Sequence, residues 1–193
     1  MSNRIFRLRV SLLGTDVWRL IDVPETYSFW DLHVAIQDAM GWQDYHLHVF
    51  RVADLQANPD VMGIGIPEDD DDDMYIAGWT IPVTRYFKNP GDAVEYEYDF
   101  GDGWLHEVRL MSIENKEAGV KYPRCVDGKR ACPPEDCGGV GGYHELLEVL
   151  ADEDHPDYEE MVDAHGAYQP DVFDPAAVQF WDPQERFRMM QEV

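Results

Sequence analysis

The sequence predicts an α+β protein in which a β-hairpin, a helix and a strand form a β-grasp-like unit. Three observations support this: alternating apolar and polar residues at 5–23, a helical apolar stripe between residues 28 and 41, and a second alternating hairpin at 94–113. Period-two alternation is typical of strands that bury one face, and a helix laid across that face accounts for it. We expect the second hairpin to join a mixed or antiparallel sheet and the last third of the chain to be helical.

The helix has the clearest predicted boundaries. Ser28 is a candidate N-cap, and Asp31, three residues later, completes a capping-box-like arrangement. Gly41 stands where a helix can end in the left-handed conformation that glycine adopts without strain. Between these boundaries, an apolar stripe with helical spacing comprises Leu32, Ala35, Ile36, Ala39 and Met40.

The remaining elements follow from alternation and turn residues. A third strand is predicted at 45–52, a loop at 56–73, a short strand at 74–77 and one helical turn at 83–88. The segment 121–142 should be irregular, because it contains three Cys, three Pro and five Gly. Helices are predicted at 143–151, at 156–165, and after the Asp-Pro pairs at 174–175 and 182–183.

Length and composition favour one domain over 1–193. Of the 193 residues, 45% are hydrophobic and 12% aromatic, enough to build a core. We divide the chain into a sheet body at 1–113 with a mobile acidic loop at 58–73, a Cys/Pro/Gly-rich loop at 114–142, and C-terminal helices at 143–193. No apolar run approaches the ~20 residues of a membrane helix, and no signal peptide is visible. Three cysteines do not make a disulfide scaffold, so we expect a cytoplasmic protein without membrane association.

The net charge of −24 is concentrated in two segments. Residues 58–76 hold seven acidic and no basic residues, and residues 125–193 hold seventeen acidic and four basic ones. Such a charge opposes phosphate binding, so direct binding to nucleic acid is disfavoured. The acidic surface favours a basic protein partner, with mimicry of a nucleic acid as a minor alternative.

Two histidines, His46 and His48, form a His-x-His pair on the predicted third strand. Period-two geometry places both rings on one face, with Cα atoms about 6.6 Å apart along the strand, where they can share a metal ion. Phe50 and Val52 share this face, so the alternative is a pair of hydrogen-bonded histidines at the edge of the core.

A second candidate site is the tight hairpin turn that holds Asp99, Asp102 and His106. Carboxylates beside an imidazole suit metal ligation or general acid–base chemistry. Glu135, from a later Pro-Glu-Asp segment, is a further candidate ligand or general base. The alternative is that Asp102 only supplies turn chemistry, as Asp before Gly commonly does.

A third candidate consists of Cys125, Cys132 and Cys137, with His144 or His106 as a fourth ligand. This set predicts a structural zinc site of the Cys3His type, although the spacing departs from the usual close Cys pairs. Unligated thiols in a packed loop are the alternative. A nucleophilic cysteine is disfavoured because neighbouring acidic residues raise the pKa of a thiol.

The glycine-rich run at 138–142 precedes a predicted helix and superficially suits an anion at the helix N-terminus. It matches neither the P-loop pattern nor the dinucleotide-binding pattern, which leaves a nucleotide site poorly supported.

Two long motifs, Tyr98–His106 and Pro133–Tyr143, together resemble the Ri-plasmid pRiA Orf-three-like family. The Gly41-Trp42 helix end and the His-Leu-His strand at 46–48 are also similar, and the resemblance covers roughly residues 4–180. Some members of that family are described as passenger proteins of an insertion element. The resemblance implies a single α+β domain with a β-grasp-like half and an accessory role on mobile elements. It transfers no catalytic residue, but it implies that the two motif segments meet in one place.

Three functions remain open at the level of the sequence. The favoured one is a non-enzymatic accessory or interaction domain, because no complete catalytic motif is present. The first alternative is a metal-binding or metal-dependent hydrolase-like protein with a divalent ion such as zinc, in which His46, His48 and His106 are ligands and Asp99, Asp102 and Glu135 are ligands or base. The second alternative, a nucleic-acid-related accessory protein, rests on the mobile-element association alone.

Overall fold

An eight-stranded mixed sheet organises the fold. The computed structural model describes residues 3–53, 55, 62–68, 74–166 and 168–192. Its strands are Arg4–Leu12 (β1), Trp18–Pro24 (β2), His48–Arg51 (β3), Gly63–Gly65 (β4), Tyr75–Ala77 (β5), Ala93–Tyr98 (β6), Trp104–Asn115 (β7) and Arg124–Lys129 (β8). The strand order is β5-β4-β3-β6-β7-β1-β2-β8, and every neighbouring pair is antiparallel except β4 and β5, which are parallel. The protein is therefore α+β, with the second hairpin, β6–β7, between the first hairpin and β3.

The first helix lies across one face of this sheet. It spans Phe29–Met40 (α1), and both hydrogen bonds of the predicted capping box between Ser28 and Asp31 are present. Gly41 has a φ of 93°, the left-handed conformation that ends the helix. The predicted apolar stripe is buried against strand residues such as Leu8, Ile21 and Phe50.

The C-terminal third contains the helices Gly139–Leu150 (α2), Tyr158–His165 (α3) and Pro183–Gln191 (α4). Both predicted Asp-Pro starts are confirmed: Asp174 accepts a hydrogen bond from the Ala176 amide before a 3-10 turn, and Asp182 accepts one from the Gln184 amide before α4. Because α4 packs on α1, ten of the twelve residues of α1 are buried, where the sequence predicted a single buried stripe. No helix among the described residues is both long enough and apolar enough to cross a membrane.

Three predicted loop boundaries differ from the structure. Strand β4 lies inside the predicted loop 56–73, and the Asp69–Asp73 run of that loop lies outside the described residues. Strand β8 lies inside the segment predicted to be irregular; it is an edge strand that pairs with β2 across a register shift, and its own sequence shows little alternation. Helix α2 begins at Gly139 rather than Tyr143, because the glycine run forms its first turn.

Candidate functional site

The two motif segments of the sequence meet at the β6–β7 turn. The Tyr98 hydroxyl donates a hydrogen bond of 2.7 Å to Glu135 Oε1, and the Gly138 amide donates one of 3.1 Å to Asp102 Oδ2. Burial is the main reason that the pKa of Tyr98 lies above its ordinary value, and the neighbouring Glu135 raises it further. Tyr98 therefore remains a hydroxyl donor at neutral pH.

A loop at 41–47 joins the same place from the end of α1. The Trp42 indole donates to the Pro133 carbonyl at 3.0 Å, and the Gln43 amide donates to Glu135 Oε2 at 3.0 Å. The Tyr45 amide donates to the Tyr98 hydroxyl at 3.1 Å. Loop 41–47 is thus held by both motif segments immediately before His46.

A His-Asp-Asp group forms where these three segments converge. His46 Nε2 lies 3.2 Å from Asp136 Oδ1 and 3.7 Å from Asp99 Oδ2. One ligand atom from each of the three residues lies within 4.8 Å of the other two. Asp99 and Asp136 both have left-handed backbones, with φ of 56° and 57°. We call this group the His46 centre.

The surroundings of the His46 centre are strongly acidic. Glu135 immediately precedes Asp136 in the chain. The Asp102 amide donates a hydrogen bond of 3.3 Å to Asp99 Oδ1, which places Asp102 beside Asp99. Within the described residues, none of these four carboxylates has a Lys or Arg nitrogen within 4.0 Å. Since like charges in one place repel, the site has a deficit of positive charge that a bound cation would offset.

A cavity of about 510 Å³ adjoins the centre. Its walls include Glu135 and Asp136, the aromatic rings of Tyr45 and Tyr168, and His165 from the last turn of α3. The acidic groups therefore face a space large enough for a side chain or a small molecule.

Comparison with known proteins bears on the same residues. The family model described as "Plasmid pRiA4b ORF-3-like protein" matches residues 4–179. The chain belongs to this family. Both motif segments that form the His46 centre fall inside the match with the pRiA4b ORF-3-like family, as does loop 41–47.

Two relatives support the assignment to the pRiA4b ORF-3-like family. An uncharacterised protein, y4hQ, of Sinorhizobium fredii (strain NBRC 101917 / NGR234) is 33% identical over 183 residues, which cover 93% of this chain and 89% of that protein. The crystal structure of a protein of unknown function, MM3350, from Methanosarcina mazei Go1 is similar with a TM-score of 0.81 and 42% identity. That match covers 93% of this chain and 100% of the other.

The other two predicted histidine ligands lie in the core, away from the carboxylates. His48 is buried and its ring stacks on that of His33, with centroids 3.5 Å apart. His106 is buried against Trp42, and its Nδ1 lies 3.2 Å from the Tyr96 carbonyl. The expected set of His46, His48 and His106 is therefore not assembled: His46 precedes β3 in a bend, and only its ring reaches the carboxylates.

The thiol set predicted for zinc is not brought together either. Cys125, Cys132 and Cys137 are free thiols, and among the described residues the His46 centre is the one potential ligand group of three or more. Burial raises the pKa of Cys125 and of Cys137 to about 11, and it raises that of Cys132 further. His144 instead lies 2.9 Å from the Gly14 carbonyl through its Nε2.

The glycine-rich start of α2 is occupied by the protein's own anion. Asp102 Oδ2 accepts from the Gly138 amide just ahead of the helix, which places a carboxylate at the positive end of the helix dipole. The close approach requires glycine: a Cβ at Gly139 would lie 2.3 Å from the Asp102 carbonyl oxygen. Asp102 thus joins the hairpin to α2 and leaves no need for an external anion.

Sequence reasoning missed Asp136. It selected the neighbouring Glu135, whose carboxylate instead receives hydrogen bonds from Tyr98 and Gln43. Adjacent residues in an irregular segment point in different directions, and the left-handed φ of Asp136 that sets this direction is a property of the folded loop. A second carboxylate beside Glu135 was the signal available in the sequence.

Proposed function

We propose that this protein binds a divalent transition-metal ion at the His46 centre. The observation that carries the proposal is the convergence of His46, Asp99 and Asp136 from three separate segments. Two ligands that lie about 2.1 Å from one metal at tetrahedral or octahedral angles are about 3.0–3.4 Å apart. The distances of 3.2 and 3.7 Å from His46 Nε2 are near this spacing, so small side-chain movements suffice for ligation.

The donor set indicates the class of metal. One imidazole and two carboxylates suit zinc, manganese or ferrous iron better than the soft ions that thiolates select. As ligands, the two aspartate carboxylates would balance the charge of a divalent ion, and the remaining coordination positions would fall to water or a ligand on the exposed side of Asp136. Asp136 has 72% of its side chain exposed, whereas Asp99 has 9%.

Titration calorimetry on chelator-treated protein, with Mn²⁺ and Zn²⁺ as separate probes, tests the proposal. We expect one equivalent to bind, and affinity to fall at least about tenfold in His46→Gln and in Asp136→Asn. Asp163→Asn, which neutralises an exposed acid on α3, is the matched control and should bind as the wild type does. Absence of binding to the wild type, or equal affinity in all four proteins, contradicts the proposal.

Hydrolysis at the metal is the sharper form of this function. Glu135 accepts hydrogen bonds from the Gln43 amide and the Tyr98 hydroxyl and lines the cavity beside Asp136, so it is our candidate base for activating a water molecule if a metal ion is bound. A panel of phosphoester, peptide and nucleotide substrates tests this: metal-dependent turnover that Asp136→Asn and Glu135→Gln abolish supports it. Failure to turn over any class favours the non-enzymatic accessory role.

A basic protein partner is a second candidate function, and a specific observation favours it. The four carboxylates have no Lys or Arg partner in the described part of the chain, so a divalent ion would still leave a negative surplus beside the cavity. Aromatic walls at Tyr45 and Tyr168 suit the stem of a Lys or Arg side chain. A labelled Arg-rich peptide should bind at low salt, a neutral peptide of equal length should not, and Glu135→Gln should weaken binding. Equal binding of the two peptides would rule the idea out.

A further inference from the structure

The C-terminal helix contacts the loop that carries His46. We propose that Arg186 of α4 is a positioning residue for the His46 centre, because it fixes loop 41–47 through Asp44. The effect on metal binding rests on the proposed function, whereas the effect on the loop does not.

Helix α4 packs on α1 through contacts that do not involve the Arg186 side chain. The Trp30 indole donates to the Pro183 carbonyl at 3.0 Å, and the Trp181 amide donates to Asp38 Oδ2 at 2.8 Å. Phe187 packs on Trp30 with ring centroids 5.7 Å apart. These contacts fix α4 independently of Arg186, so removal of its guanidinium does not by itself detach the helix.

Arg186 supplies the positive charge between two carboxylates, those of Asp38 and Asp44. Its Nη1 lies 3.5 Å from Asp44 Oδ2 and 3.8 Å from Asp38 Oδ1. Both carboxylates are largely buried, with 14% and 4% of their side chains exposed. Burial raises the pKa of Asp38, and the hydrogen bond from the Trp181 amide and the nearby Arg186 guanidinium act in the opposite direction, so Arg186 serves as a counter-ion to this carboxylate. Without Arg186, two poorly solvated like charges face each other, and the one on the loop can relieve the repulsion by moving outward.

Asp44 is also held by a residue of α1, His33. Its other oxygen, Oδ1, lies 2.9 Å from His33 Nε2, and His33 is fully buried in α1 with its Nδ1 2.9 Å from the Tyr96 hydroxyl. Asp44 has a φ of 63°, a left-handed backbone that sets the direction of the chain two residues before His46. Asp44 is therefore the anchor of loop 41–47 on its α1 side, and Arg186 completes that anchor.

The two neighbours of Asp44 in the chain connect this anchor to the segments that carry the metal ligands. On either side of Asp44, the Gln43 amide is bound to Glu135 and the Tyr45 amide to the Tyr98 hydroxyl. Gln43, Asp44 and Tyr45 thus fix the path of the chain into His46. They are held by the Pro-Glu-Asp segment, by α4 and by β6, respectively. An outward shift of Asp44 would move His46 away from Asp99 and Asp136, whose positions are set by other segments.

Two variants and one control separate this role from general stability. Arg186→Gln removes the charge from α4, and Asp44→Asn removes its partner while keeping a residue that tolerates a left-handed backbone. Arg188→Gln, on the same helix, is the control, because among the described residues Arg188 donates only to the Gln184 carbonyl of its own helix. Each protein is examined by Mn²⁺ titration calorimetry and by hydrogen exchange of residues 42–47 in the metal-free state.

We expect Arg186→Gln and Asp44→Asn to lower Mn²⁺ affinity roughly tenfold, as loss of ligand support does, and to speed exchange in 42–47. Arg188→Gln should change neither quantity. Unchanged exchange and unchanged affinity in both variants would overturn the proposal, as would an equal loss in the control. If the wild type binds no Mn²⁺ while exchange in 42–47 still accelerates in the two variants, the positioning contact is supported and the metal function fails.

Discussion

At the residue scale, the buried imidazoles are core components rather than ligands. His106 is fully buried, and because the Tyr96 carbonyl accepts a hydrogen bond from its Nδ1–H, Nε2 is an acceptor without a partner in the described residues. Burial lowers the pKa of His106 to about 4, and it lowers the pKa of His48 well below its ordinary value. Both rings are therefore neutral in the folded protein at neutral pH. The unfolded chain binds protons at these two histidines more tightly than the folded protein does.

This arrangement predicts loss of stability in acid. Burial depresses the pKa of His106 from 6.5 to about 4 in the folded protein. The contribution of the neutral His106 ring to the free energy of unfolding is therefore complete above pH 6.5 and is lost as the pH falls toward 4. From pH 7.5 to pH 5 the free energy of unfolding should fall by about 2 kcal/mol on account of His106, and His48 acts in the same direction.

Urea denaturation at the two pH values measures this loss. The non-titrating variant His106→Gln should be less stable at pH 7.5 but should show a clearly smaller decrease between pH 7.5 and pH 5. A variant with the same pH dependence as the wild type would show that His106 is not the group responsible.

At the element scale, boundaries set by local chemistry were predictable and those set by distant contacts were not. The cap of α1 at Ser28 and the starts at Asp174 and Asp182 each depend on a side chain bonding an amide two or three residues away, so the sequence contains the whole interaction. Strand β8 and the first turn of α2 depend on β2 and on the Asp102 hairpin, which are remote in the chain. The same distinction explains the site: His46 and Asp99 could be proposed, but their meeting with Asp136 is a tertiary event.

Two adjacent glycines test the packing of the first turn of α2. A Cβ at Gly142 would lie 1.8 Å from the Cys137 carbonyl oxygen, whereas a Cβ at Gly141 would meet nothing within 4 Å. Gly142→Ala should therefore lower the free energy of unfolding by at least about 2 kcal/mol through forced backbone shifts. Gly141→Ala should be neutral, or stabilising by up to about 1 kcal/mol through helix propensity.

Chemical denaturation of both variants at one pH decides the point, with Gly141→Ala as the matched control. Equal stabilities for the two proteins would mean that the turn leading into α2 does not pack as described. If the Gly142→Ala protein is stable but its backbone amides at 137–142 exchange hydrogen faster, the backbone around Cys137 has shifted to make room for the new Cβ.

At the scale of the whole molecule, the charge is a property of particular segments rather than of the fold. The net charge is −24, and the segments 58–76 and 125–193 hold most of it, while Arg7 in β1, Arg109 in β7 and Arg124 in β8 are paired with carboxylates. Ala164 and His165 at the end of α3, and Tyr168 after it, line the site cavity, and α3 carries Glu159 and Glu160 in its first turn. A field of one sign around a cleft attracts cations toward it, which suits both a metal ion and a basic partner.

Net self-repulsion predicts that salt stabilises this protein. Raising NaCl from 0.02 to 0.5 M, in the presence of a chelator, shortens the screening length and weakens repulsion among the carboxylates. We expect the free energy of unfolding to rise by about 1 kcal/mol, which is a Tm increase of roughly 2–4 °C at this size. A Tm that falls with salt, measured by calorimetry, would show that the surface ion pairs of the sheet outweigh the acidic segments.

Anomalous diffraction from crystals soaked in Mn²⁺, with data collected on both sides of the manganese edge, shows directly whether the His46 centre holds a metal ion. We predict one strong anomalous peak about 2.0–2.2 Å from His46 Nε2 and from a carboxylate oxygen each of Asp99 and Asp136. This peak should be absent from Asp136→Asn crystals soaked identically. A peak elsewhere on the acidic surface, or no peak while His46 remains paired with the two aspartates, would contradict the account.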